Sequence, residues 1–470
     1  MKLTQLTSLI FGLGAGLAAC GDNGDNSADA PPPTPDATPT FATIDCTKVT
    51  TAHCQQIASG DAAALQLAAN SISDDTTIIL DAGVYKMTNS LTLRNDGVHL
   101  IGQGLEQTTI DFGDATAQGN GVDVIGDGFL VQDLTVRDSK KDGIRVEDSV
   151  GVVFRRIRAT WTTAGSTSNG AYGIYPVKSS NVLVENSRAE NASDAGLYVG
   201  QCQHVIVRNN VVTGNVAGLE IENTQYADVY GNTAENNTGG IVVFDLPGNL
   251  VVGRDIRVHD NMIRNNNHVN FGTPGTTVAS IPVGTGTFAM ASRRVEITNN
   301  TYLNNDTVDI AVISGLAIEP TLASWAIETS KIIGNLDGLN LQPADLTHVM
   351  NFRGENIVIA GNTHTGSGTK PDFNDPLHLG LLLRAGSTPA PVDSVVYDAI
   401  EEDFDSTNPL LNSNKHHICV AGNTGGTFGS LDLIEQSQTN QVPFFRPAAP
   451  FTPYDCTELI GGPVAEVVLP

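Results

Sequence analysis

Apolar and polar residues alternate in short runs along most of this chain. The runs are bounded by Gly, Asn and Asp, the pattern of brief strands separated by turns. A Gly followed by an aliphatic residue recurs at Gly121-Val122, Gly143-Ile144, Gly173-Ile174, Gly196-Leu197, Gly218-Leu219 and Gly240-Ile241, in steps of 22, 30, 23, 22 and 22 residues. A second pattern, apolar-x-apolar-x-x-Asn, ends at Asn210, Asn232, Asn261, Asn300, Asn362 and Asn423. Helical periodicity is nearly absent. Two or three strands in 22 residues cannot bury their apolar sides alone, so each coil must stack on the one before it, as in a parallel β-helix. Stacked strands lie about 4.8 Å apart, and equivalent residues of successive coils then form ladders. An Asn repeated at one turn position can adopt left-handed geometry and hydrogen-bond to the Asn above and below. The long step of 30 places a loop at residues 161–169. Larger loops are expected around 265–292 and 364–414.

Ahead of the coils, Asp61 can cap a short helix, AAALQLAANSI, whose apolar residues would cover the open end of the first coil. TTIILDAGVY, SLTL, VHLIGQG and TTIDF follow as alternating strands. This opening resembles the pectin-lyase-like superfamily, in which a capping helix precedes a TIxLxxGxY strand and a GxG turn. The resemblance implies an all-β fold, a single-stranded right-handed parallel β-helix with a short N-terminal capping helix. Residues 170–248, from GAYGIYPVKSSNVLVEN to NNTGGIVVFDLPG, resemble the bacterial parallel β-helix repeat lipoproteins. Members of that family tend to be encoded beside a c-type cytochrome, and no reaction is established for it. The resemblance thus implies export and a possible cytochrome partner. The expected division is a cap with first coils over 44–110, regular repeats over 111–315, and C-terminal coils with long loops and a terminal cap over 316–470.

The first residues have a different character. Lys2 supplies a positive start, Leu6 to Gly16 an apolar stretch, and Leu17-Ala18-Ala19-Cys20 a small-residue cleavage site ending in cysteine. This resembles a lipoprotein signal over 1–19, with Cys20 acylated and stably anchored by several chains. The Pro- and Asp-rich residues 20–43 read as a disordered tether. Gly21 after the lipidated cysteine points to the outer membrane of the cell envelope. Export permits disulfides, and the economical pairing is Cys46 with Cys54 and Cys419 with Cys456, leaving Cys202 free.

Over all 470 residues, 51 acidic side chains face 25 basic ones, for a net charge of -26 without a basic stripe. That excludes a nucleic-acid partner. No apolar run is long enough for a membrane span.

Aligning the coils on the Gly-aliphatic step turns the first and third residues after each Gly inward. The second residues turn outward and read Asp123, Arg145, Tyr175, Tyr198, Glu220 and Val242. Beside them stand Glu147, Lys178, Glu222, Asn223 and Asp245. Aromatic platforms between charged groups are what a groove for carbohydrate, or another extended polymer, presents. The binding candidates are therefore Asp123, Arg145, Tyr175, Tyr198, Glu220, Asn223 and Asp245. If the ladder is a polysaccharide lyase or hydrolase, the catalytic candidates are Arg145, Lys178, Glu220 and Glu222. A lyase could use Arg145 or Lys178 as base, with Ca²⁺ held by Glu220, Glu222 and Asp245 as the only cofactor considered. The NTD, GHG and RIK set of polygalacturonases and the DPHD of alginate epimerases are absent. An inert ladder of stacked side chains, serving a structural or interaction module, is the remaining alternative.

Overall fold

The computed structural model describes residues 43–336, 347–376, 380, 391–400, 414–430 and 454–470. The signal segment, Cys20 and the tether up to residue 42 lie outside the described residues.

From residue 53 the chain climbs in parallel coils. A regular coil contains three strands, for example Ala195–Gly200, Gln203–Arg208 and Val211–Thr213. Each pairs in parallel with its counterpart one coil on. The first strands make an 11-stranded sheet, and the other two join in a 20-stranded one. Val122, Ile144, Ile174, Leu197, Leu219 and Ile241 follow one another in register and are fully buried. The inward face expected from the Gly-aliphatic step is thus the core.

The Asn residues run through the interior as a continuous chain. The side-chain amides of Asn210, Asn232, Asn261, Asn300 and Asn362 each donate to the Oδ1 of the next Asn, ending at Asn423, over 2.9–3.1 Å. Each also donates to a backbone carbonyl, such as Val229 O from Asn261. The left-handed residue is not the ladder Asn itself, as expected, but the one before it. Asn209, Gly231, Asp260, Asn299, Gly361 and Gly422 all have φ between 53° and 68°. That turn aims the following Asn inward. Asn215, Asn237, Asn266 and Asn305 form a second ladder at another corner, each again preceded by a positive φ.

Both ends are covered. The helix Ala62–Asn70 is capped by Asp61, whose side chain accepts from Ala64 N at 2.9 Å, and buries Leu65, Ala68 and Ala69. At the other end the Tyr454 ring lies 5.0 Å from Phe428 and 6.2 Å from Tyr397, under the last coil. The chain then turns back across the outside of three successive strands, Ile418–Ala421, Glu355–Ala360 and Arg293–Thr298. Cys456 is bonded to Cys419, Ile460 N donates to Asn356 Oδ1 at 2.8 Å, and Val464 N donates to Glu296 Oε1 at 3.1 Å. This strap closes the terminal coils from the side. Cys46 is bonded to Cys54, and Cys202 is free and buried.

Three loops interrupt the coils. Residues 161–173 precede Ile174–Val177, residues 265–284 precede Thr285–Met290, and residues 314–354 separate Val308–Ile313 from Glu355–Ala360. The third carries a small antiparallel hairpin, Ala326–Glu328 with His348–Met350. The loop expected over 364–414 is itself interrupted by the strand Val395–Asp398, while 377–379, 381–390 and 401–413 lie outside the described residues.

Candidate functional site

The outward column is in register as expected, Asp123 opposite Arg145, Arg145 opposite Tyr175, and Tyr198 opposite Glu220. It is not, however, an open groove. From Val242 onward its members are Val242, Phe288, Ala311 and Val396. These are buried with Phe244, Met290 and Trp325 in a second apolar cluster outside the coil core. Apolar side chains on an outer face require a cover, and the loops 265–284 and 314–354 provide it.

The lower end of the column is a set of ion pairs. Arg145 pairs with Glu147 and lies 3.4 Å from Asp123, which also pairs with Arg94, while Lys178 lies 3.2 Å from Glu147. Burial pushes the Asp123 carboxyl up, but hydrogen bonds from Arg94 and Asn120 and the neighbouring charges outweigh it and hold the group below its ordinary value. Burial opposes the charge on Arg145, yet Glu147 and Asp123 raise its pKa further. A base must titrate near the working pH, so this Arg serves as an ion-pair partner and not as the proton acceptor of a lyase. Lys178 occupies a left-handed turn position with φ 50°.

The tyrosines belong to the covered part. Tyr198 is 4% exposed and lies over Gly200, where any Cβ would come within 2.4 Å of its ring. Tyr175 stands edge-on to it at 4.9 Å. The third member, Tyr172, comes from the loop 161–173 and sits 4.5 Å from Tyr198 and 4.7 Å from Tyr175. Sequence reasoning missed it because it lies two residues before Gly173, outside the repeat.

Three carboxyl groups gather beside these rings. Glu220 and Glu222 project from the strand Ala217–Glu222, and Asp194 precedes Ala195–Gly200. Glu222 accepts hydrogen bonds from Tyr198 and from Asn249 Nδ2, the latter at 2.8 Å. Asp194 accepts one from Tyr172. Glu220, 3% exposed, has no hydrogen-bond partner among the described residues. Burial raises all three carboxyls, Asp194 to about 7 with a further push from Glu222, and Glu220 well above its usual range with pushes from Asp194 and Glu222. The same burial, with Asp142 nearby, lifts Tyr175 to about 12.

These groups form one wall of a cavity of about 320 Å³. Tyr172, Asp194, Glu220 and Glu222 face Val242, Phe244, Phe288 and Met290 across it, and no Lys, Arg or His lines it. The loop 265–284 closes one side through residues 275–278 and Ile281, and Ile318 of the loop 314–354 contributes a further edge. The first loop is braced by Asn270, whose amide donates to Val278 O and Ile281 O at 3.1 and 3.0 Å. The second is anchored by Trp325, fully buried against Gly315, with its indole donating to Glu319 O at 2.8 Å. Cation ladders are therefore absent from the cavity, and the column contributes only part of its wall.

The two remaining candidates are fixed elsewhere. Asp245 is fully buried, accepts from Gly253 N at 2.6 Å and Asn351 Nδ2 at 2.7 Å, and is raised to about 7 by burial. Asn223 has φ 42°, donates to Val251 O and accepts from Leu246 N and Asn249 Nδ2. Neither lines the cavity. Asn223 instead positions Asn249, which holds Glu222. Glu220, Glu222 and Asp245 are not gathered for one Ca²⁺. Among the described residues, the group with donor atoms within 4.8 Å of one another is His417 with Cys419 and Cys456, whose sulfurs are spent in a disulfide.

Several solved structures are similar in fold. The A-module of the Azotobacter vinelandii mannuronan C-5 epimerase AlgE4 is 17% identical over 72% of this chain and 90% of that one, with a TM-score of 0.40. Pectate lyase Pel9A is 13% identical over 70% and 82%, with a TM-score of 0.38. The catalytic unit of a GH87 α-1,3-glucanase from Streptomyces thermodiastaticus is 14% identical over 71% and 47%, with a TM-score of 0.39. Identities this low speak of fold alone. No curated protein matches the sequence. Residues 96–256 and 167–323 match the family described as right handed beta helix region. With the parallel coil-on-coil pairing above, this places the chain in the right-handed parallel β-helix family, within the pectin-lyase-like superfamily.

Proposed function

We propose that the protein is an envelope lipoprotein that binds a saccharide in the loop-covered cavity, and not along an open ladder. The observation that carries this reading is the two-faced cavity: carboxyl and phenol groups on one wall, aliphatic and aromatic side chains on the other. A sugar ring has hydroxyls at its edge and C–H groups on its faces, and such a cavity meets both. A volume of about 320 Å³ is at the lower end of the roughly 300–1,000 Å³ of small-ligand sites. It suits a short saccharide or one end of a longer chain.

Binding should be lost in Thr277→Trp, which places an indole in the cavity from the covering loop, and retained in Arg145→Ala. The exposed ion pairs of Arg145 contribute at most about 1 kcal/mol each, and the residue does not line the cavity. Titration calorimetry with a panel of short oligosaccharides measures this. Undiminished binding in Thr277→Trp would sink the reading. Cleavage is not part of the proposal. Release of new reducing ends by the wild-type protein, lost in Glu220→Gln, would replace it with a hydrolase that uses the same carboxyls.

The proposal keeps the protein at the membrane through acylated Cys20. Cys20→Ala should transfer it from the detergent phase to the aqueous phase in a partitioning assay. Unchanged partitioning would exclude lipid anchorage at this residue.

A further inference from the structure

The cavity holds three carboxyl groups and no cation. Burying a carboxyl without a partner is costly, and an unpaired group takes up a proton instead. Tyr172 and Tyr198 hold Asp194 and Glu222 by one phenol each. Glu220 lines the cavity with 3% of its surface exposed and has no partner among the described residues. The structure therefore contains an acceptor set without its donor.

We infer that the saccharide bound in this cavity carries an amino group, whose ammonium is received by Asp194, Glu220 and Glu222. This rests on the saccharide reading above and narrows it. An ammonium has three N–H donors, one for each carboxyl. The rings of Tyr172, Phe244 and Phe288 also line the cavity and favour a cation near their faces. A bare metal ion fits less well, because the donor atoms of these acids are not among those lying within 4.8 Å of one another, whereas an ammonium on a sugar ring reaches each through its own hydrogen bond. The surface works in the same direction. With 51 acidic residues against 25 basic ones, the protein attracts a cationic chain from a distance and repels a uronate. Binding converts shared protons into ion pairs, so protons leave the site when the ligand enters.

The test is calorimetry on the full chain in detergent at pH 6, with glucosamine tetramer, its N-acetylated counterpart, a glucose tetramer and CaCl₂ as titrants. The glucosamine tetramer should bind at least tenfold more tightly than the other two sugars. Heats measured in buffers of different ionisation enthalpy should show proton release. The double variant Asp194→Asn with Glu222→Gln should lose the preference but keep its melting temperature or gain in it. Equal affinity for the N-acetylated or glucose tetramer overturns the amine inference and leaves the saccharide reading standing. Failure of all three sugars overturns both. Ca²⁺ binding that is lost in the double variant, with no preference for the amine, assigns the acids to a metal and overturns the inference.

Discussion

Asn261→Ala is expected to lower the stability of the central coils by about 3–6 kcal/mol. The wild-type side chain donates to Val229 O and Asn300 Oδ1, and its own oxygen accepts from both the backbone and the side-chain amide of Asn232. Alanine leaves Val229 O and the Asn232 donors facing a dry interior. Each such buried orphan costs roughly 1–3 kcal/mol. Water cannot replace the lost groups, because Asn261 is 2% exposed. Asn423→Ala is the control. It ends the ladder in a half-buried position, and solvent can reach the groups it leaves, so the loss there should be nearer 1 kcal/mol. Urea unfolding followed by hydrogen exchange across residues 229–300 distinguishes the two. Comparable losses at both positions would show that the ladder is not a cooperative element.

The acids of the cavity make an equally large prediction about pH. Asp194 moves from an ordinary 3.8 to about 7 in the folded protein, chiefly by burial. Between those values the native state retains a proton that the unfolded chain has released. Stability therefore falls as pH rises through this window, by about 4 kcal/mol from Asp194 alone. Asp245, also raised to about 7, and Glu220, raised well above its range, act in the same direction. Asp111, Asp123 and Glu185 are lowered and act oppositely, contributing stability that is lost as pH falls below the ordinary carboxylate range. Melting should be highest near pH 5 and decline towards pH 8. Glu220→Gln and Asp194→Asn should each flatten that decline and melt above the wild type at pH 8. A melting temperature that holds constant or rises from pH 5 to pH 8 would remove the buried acids from the account.

The coil was legible in the sequence because its determinants repeat. Gly218-Leu219 and Gly240-Ile241 differ by one period and by one stacked strand, so the inward face follows from spacing alone. The Asn ladder was legible for the same reason, although its left-handed turns fall one residue earlier, on Asn209, Asp260 and Asn299. The cavity was not legible, because its walls do not repeat. Tyr172 stands in an insertion, and Val278, Ile281 and Ile318 come from loops that carry no period. One signal was present in the column itself. Val242 and, two residues on, Phe244 place apolar side chains where a solvated face would be polar. That change along the column marks where a cover must begin, and the second apolar cluster is that cover. Tyr198 and Glu220 faced outward as expected, yet outward here meant towards another layer of the protein.

The strap that runs back from Tyr454 changes how this end of the molecule can come apart. In a plain solenoid each repeat touches only its neighbours, the array behaves as a one-dimensional chain of coupled units, and the ends fray one unit at a time. Here Cys456, Ile460 and Val464 engage three different repeats within nine residues of chain, a linkage that skips past the nearest neighbour. The terminal three repeats are thereby joined into a single cooperative unit that opens together or not at all. The thiol–disulfide state of Cys419 and Cys456 sets whether that unit is latched, so an oxidising compartment locks the end of the helix and a reducing one leaves it free to melt stepwise.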